Sequence, residues 1–121
     1  MVESLANEDR KAPIWWATPV ECQSAVFKRY RESASARELL DQALARLNMI
    51  LEDAATVPAT DDLRERARRL VATHPLRAAD ALQLAAALVW CEERPSDERF
   101  VCLHDRLREA ARREGFTVLP A

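Results

Sequence analysis

A single glycine in 121 residues leaves no room for a glycine-rich loop that cradles phosphate, so nucleotide binding by that device is excluded. Cysteine is scarce and oddly numbered: Cys22, Cys91 and Cys102 lie far apart in sequence. They match neither a disulfide framework nor zinc-ligand spacing, and read as reduced thiols packed in the interior. No apolar run is long enough to span a bilayer, and the opening MVESLANEDRK has nothing of a signal peptide. Both absences point to a cytoplasmic protein with no membrane partner. Excess positive charge is also lacking. The net charge of −2 and pI near 5.7 make the whole molecule no magnet for polyanions. Nucleic acid would have to be met by local arginines, either Arg64, Arg66, Arg68 and Arg69 or Arg106, Arg108, Arg112 and Arg113. Such groups on amphipathic helices read first as solvated faces.

What the chain does have is apolar mass in a helical and strand-like pattern. A hydrophobic fraction of 49% can fill one core, and the length fits one compact domain over residues 1–121. Residues 2–10 read as the end of a helix, with Val2, Leu5 and Ala6 on one side. Ile14 to Ala17 reads as a short buried strand between Pro13 and Pro19. Thr18 then suits an N-cap, Pro19 the first helical position, and Glu21 the reciprocal acid of a capping box, for a helix to about Glu32. A second helix over 35–52 gathers Leu40, Ala43, Leu44, Leu47, Ile50 and Leu51 on one stripe. Ala54 to Val57 is a further strand. Thr60 or Asp61 caps a helix to about Thr73, with Leu63, Ala67, Leu70 and Val71 inward. After a helix from Arg77 to Glu92 come the strand Phe100 to Leu103, a helix with Leu107, Ala110 and Ala111 inward and Gly115 as C-cap, and a strand over 116–119. Alternation of short apolar strands with longer helices indicates an α/β domain with a parallel sheet.

The stretch PLRAADALQLAAALVW, residues 75–90, raises a specific question. Its helix is apolar around most of its circumference, yet Asp80 stands in the first third, where an unpaired buried charge is costly. Ligands gather at the carboxyl ends of parallel strands, and two other acids suit that place. Glu21 follows the first strand, and Asp105 follows FVCL beside His104. Carboxylates converging there would repel one another and attract a hard divalent cation such as Mg²⁺, whose bound water can attack a phosphodiester. Each residue also has a plainer role. Glu21 can complete the capping box, Asp80 can complement the helix dipole or pair with Arg77, and Asp105 can cap the last helix. His104 can be an ordinary satisfied polar side chain. A zinc site built on His74 and His104 lacks ligand spacing.

Three segments together resemble a known family. LRAADALQLAAAL, followed by FVCLHDRLREAARREGF, is similar to the C-terminal half of PIN-domain proteins of the VapC type, and TPVECQSAVFKRYRE to their first conserved-acid helix. The resemblance spans essentially the whole chain. It implies a three-layer domain with a short parallel sheet flanked by helices, and a Mg²⁺- or Mn²⁺-dependent endoribonuclease. It also implies an RNA substrate, a cognate antitoxin protein that holds the enzyme inactive, and a homodimer. By position Glu21 and Asp80 match two of the family's acids, and Asp105 or His104 completes the metal set. The chain departs from the family twice. The usual first strand, central in the sheet and carrying an aspartate, is absent: either the sheet closes up, or a partner supplies a strand, or, the preferred expectation, the domain is N-terminally truncated and its natural start lies upstream of Met1. Without that strand its neighbours would expose backbone groups at about 1–3 kcal/mol each. Counting back from Leu107, the last acid position is held by His104, with Asp105 one residue late. Imidazole is a poor ligand for Mg²⁺ and suits Mn, Zn or Fe better.

Overall fold

The computed structural model describes residues 2–4, 12–34 and 36–121. Five strands and five helices follow in the order β1 (Val2–Ser4), β2 (Pro13–Trp15), α1 (Thr18–Glu32), α2 (Arg37–Glu52), β3 (Ala55–Val57), α3 (Asp61–Thr73), α4 (Ala78–Trp90), β4 (Glu98–Val101), α5 (Asp105–Glu114) and β5 (Thr117–Leu119). The fold is mixed α/β. No described helix is long and apolar enough to cross a membrane. The chain divides into two compact units, one made of residues 1–16 and 55–121 and the other of residues 17–54.

The first unit holds all the described strands, in two sheets. In one, β2 and β3 run parallel with Ile14 opposite Thr56. Hydrogen bonds from Ala55 N–H to the Ala12 carbonyl at 2.9 Å and from Trp16 N–H to the Val57 carbonyl at 3.1 Å extend the pair. In the other, β4 lies between β5, parallel to it, and β1, antiparallel to it. Two expectations are corrected here. Residues 2–4 are a strand and not the end of a helix, with Val2 opposite Phe100 and Ser4 opposite Glu98; Leu5 and Ala6 lie outside the described residues. The parallel strands form two short ladders and not one sheet. The physical reason for the first correction is backbone satisfaction. β4 presents donors and acceptors on both edges, and β1 pairs the edge that β5 leaves open.

The core of this unit follows the apolar periodicity. Leu63, Ala67 and Leu70 line the inner face of α3, while Val71, expected inward, is 46% exposed. α4 buries Ala81 and the continuous run Leu84 to Leu88, and packs against α3, β2 and α5. A helix apolar all round must be covered on several sides, and these three neighbours supply the cover. Phe100 of β4 and Phe116 stack tilted with ring centroids 5.6 Å apart. Gly115 ends α5 at φ +112°, the left-handed conformation expected of it. With no second glycine, the loop before β4 places Glu92, Glu93 and Asp97 at positive φ instead. Each such residue costs roughly 1–2 kcal/mol, so other contacts must hold that loop.

The second unit is a pair of packed helices, α1 and α2. α1 starts one residue earlier than the capping pattern suggests. Ala17 is its N-cap and Thr18 is already helical, so no side chain caps it and the capping box does not form. The carbonyl of Ala17 accepts from the N–H of Val20 and of Glu21, both at 3.1 Å. Of the expected α2 stripe only Leu40 is buried, and Ile50 is exposed.

Candidate functional site

Asp80 occupies the first turn of α4, where the helix dipole favours a carboxylate. Its side chain is only 18% exposed, and its Oδ1 lies 3.5 Å from Nδ1 of His104. His104 stands just beyond the carboxyl end of β4 and is the N-cap residue of α5, with its ring 76% exposed. The pair is an ion pair whenever the imidazole is protonated. Two local events bring it together. The parallel strand β4 ends at Val101, and the chain turns through Cys102 and Leu103 into α5, which aims residue 104 back toward the start of α4. Among the described contacts the ion-pair partner of Asp80 is His104 and not Arg77.

The other expected site residues are placed as follows. Asp105 is the first residue of α5 and is exposed; it does not cap that helix, whose N-cap is His104 and which has no side-chain cap. Glu21 is half-buried in the first turn of α1 and belongs to the second unit. His74 is buried, and its Nε2 lies 2.7 Å from Oε2 of Glu114. Among the described residues no three His, Cys, Asp or Glu side chains gather into a metal-holding group. The donors that do meet, one carboxylate oxygen and one imidazole nitrogen, fit a divalent ion only as part of its shell. Water or a substrate phosphate would supply the remainder.

The strand end has further chemistry that spacing alone did not disclose. Arg108, one turn into α5, donates from Nη1 to the Cys102 carbonyl at 2.9 Å and from Nη2 to the Pro120 carbonyl, tying the C-terminal residues to this corner. The Cys102 thiol is half-buried, and burial pushes its pKa up; the Asp80 charge works in the same direction, against a lowering by Arg108.

A second polar cluster was invisible in the sequence. Arg66 on α3 donates from Nε to both carboxyl oxygens of Glu93, at 3.0 and 3.1 Å, and from Nη2 to Glu114 Oε1 at 3.0 Å. Glu114 thereby joins Arg66 to His74. Burial works against the Arg66 charge, but Glu93 and Glu114 outweigh it and hold the guanidinium above its ordinary pKa. Glu93, one of the cluster's members, holds a left-handed conformation. The bonded partners of the cluster are 27 to 48 residues apart, a separation that no local pattern reveals.

The arginine groups are mostly spoken for. Arg64 pairs with Asp61, Arg68 with Glu65, and Arg112 and Arg113 with Glu109, in addition to the bonds of Arg66 and Arg108. That leaves little concentrated positive field for a phosphate backbone on these helices. Comparison with known proteins yields no matching family model, no matching curated protein and no matching solved structure.

Proposed function

We propose that the chain is a PIN-like, metal-dependent endoribonuclease module of the VapC toxin type, cleaving RNA phosphodiester bonds with Mg²⁺ or Mn²⁺. One observation carries the reading: the single carboxylate of a largely apolar helix lies at the carboxyl end of a parallel strand beside a second ligand-capable side chain. That is where α/β sheets gather ligands. Asp80 serves as the metal-holding carboxylate, with His104 beside it, Asp105 next in sequence, and Glu21 as the family-matched acid of α1. A bound ion supplies a Lewis acid and an activated water. The half-buried setting of Asp80 strengthens its pull on a cation relative to an exposed acid. A cognate antitoxin and a second copy of the chain are the protein partners that accompany this reading.

The test is cleavage of a mixed RNA substrate in Mg²⁺ or Mn²⁺. Asp80→Asn, which keeps size and removes charge, is expected to abolish cleavage while thermal unfolding stays near that of the parent. Cleavage that persists in Asp80→Asn, or in a chelator, rejects the mechanism. A second reading rests on the same pair. His104, where the family carries an acid, supplies a cation in place of a carboxylate and partly neutralises Asp80 when protonated. A module of that kind keeps protein partners and has lost cleavage. Absent RNase activity with intact binding to a partner would favour it.

A further inference from the structure

The apolar sector of α2 is wider than its neighbour α1 covers. Leu39, Ala43, Leu47 and Ile50 recur at helical spacing and lie on one side of the helix. Leu40 beside them is buried, but Leu39 remains 56% and Ile50 49% exposed. These side chains line two grooves of the second unit. One, of about 260 Å³, runs between α1 and α2, with Val26 and Tyr30 on one wall and Leu39 and Ala43 on the other. The second, of about 340 Å³, follows α2 from Leu39 to Ile50. Leu39 and Ala43 line both, so the two are continuous. Between Leu39 and Ile50 the helix rises about 16 Å, room for roughly three turns of a second helix.

Charge in the lining is of one sign. Arg29 belongs to the first groove and Arg46 to the second, and no carboxylate lines either. Both arginines are exposed, and among the described residues neither has an ion-pair partner. Arg37 on the same helix, by contrast, is paired with Asp41 at 3.4 Å. We infer that this groove receives an amphipathic helix of another protein, with apolar side chains at i, i+4 and i+7 flanked by aspartate or glutamate. Its apolar face takes Leu39, Leu47 and Ile50 out of water, which supplies affinity. Its carboxylates answer Arg29 and Arg46, which supplies choice of partner and speed of encounter. A second copy of this chain is a poorer occupant. A two-fold contact through the groove brings in the same two arginines again and no carboxylate from the lining. RNA is poorer still, because it satisfies the arginines and leaves Leu39 and Ile50 in water. The inference uses the second unit alone and stands or falls independently of the Asp80–His104 corner and of the nuclease reading.

The experiment is fluorescence anisotropy of the full chain with two labelled helical peptides. One carries leucine at i, i+4, i+7 and i+11 with glutamate at the flanking positions; the other has lysine in place of every glutamate. Saturable one-to-one binding of the glutamate peptide is expected, at least about tenfold tighter than the lysine peptide. Arg29→Glu combined with Arg46→Glu should reverse that preference, and Leu39→Ser should weaken the glutamate peptide by at least about fivefold. All three positions are exposed, so circular dichroism of the variants should match the parent. Poly(U) should not displace the peptide, and any self-association seen by sedimentation should persist in Leu39→Ser. Absence of saturable binding, equal affinity for the two peptides, or a preference unchanged by the double charge reversal would overturn the proposal. Self-association that Leu39→Ser abolishes would give the groove to a second copy, and displacement by poly(U) would give it to RNA; either result also overturns it. RNA cleavage is no part of these readouts, so failure here and failure of the nuclease reading are told apart.

Discussion

The two compact units differ in how they use the same apolar material. In the first, α4 packs an almost unbroken run from Leu84 to Leu88 among α3, β2 and α5, and its fully buried side chains include Leu63, Leu70, Phe100 and Leu107. In the second, two helices of similar length bury Leu40 alone among the described residues, while Val20, Leu39, Met49 and Ile50 remain exposed. The difference teaches that a helical stripe in sequence specifies a face, not its burial. Burial needs opposing surfaces, and only the first unit's sheets and helices provide them on several sides.

Truncation of core leucine should expose that contrast most sharply. Leu84→Ala is expected to cost about 2–5 kcal/mol in denaturant unfolding, and Ile50→Ala no more than about 0.5 kcal/mol. Equal losses would erase the distinction between the units. Next comes the polar clamp. Glu114→Ala strips acceptors from both Arg66 and His74, whose side chains are 15% and 3% exposed, and should cost roughly 1–3 kcal/mol. Glu109→Ala on the same helix, whose arginine partners are exposed, should cost between about 0 and 1 kcal/mol. A larger loss at position 109 than at 114 would show that the clamp is not a stabilising feature.

Smaller effects sharpen the comparison at helix ends. Gly115→Ala would put a Cβ 2.9 Å from Pro95 Cγ at a φ of +112°, and thermal unfolding should register a loss of about 1–2 kcal/mol. Thr60 accepts a hydrogen bond from the Leu63 N–H at 3.2 Å, so Thr60→Ala should cost about 1 kcal/mol. Thr18→Ala in the second unit should stay within about 0.5 kcal/mol, because Thr18 caps nothing. The thiols give the smallest signal. Burial is the leading reason that Cys22, Cys91 and Cys102 all have raised pKa values. The folded chain therefore holds these protons longer than the unfolded one. That contribution to stability is fully present below the unfolded thiol range and is lost as pH rises from there through the raised folded-state range. Alkylation at mildly alkaline pH should be slower in the folded chain than in urea for all three; equal rates would contradict the shifts.

Much of this was legible from local pattern. The five helices from Thr18 onward, the Thr60 cap, the Gly115 stop and the inward faces of α3 and α5 follow from apolar spacing and helix punctuation, which act within a turn or two. The PIN resemblance and its nuclease reading rest on sequence, with Glu21, Asp80, Asp105 and His104 as the proposed site. Among the described contacts the structure brings Asp80 to His104. Spacing misjudged the N-cap of α1 by one residue, because Ala17 and Thr18 differ only in which one leaves helical geometry first. It misread residues 2–4, because a three-residue strand is defined by its partner and carries no period of its own.

By itself, the sequence determined where helices begin and stop and which faces are apolar, since those depend on side-chain spacing, caps and glycine within a few residues. Tertiary structure alone decided which faces became buried, how β4 came to be paired on both edges, and that His104 and not Arg77 answers Asp80. It alone also joined Arg66, His74, Glu93 and Glu114. The polar meetings depend on groups 24 to 48 residues apart reaching hydrogen-bond or ion-pair distance, which only the packed chain brings about.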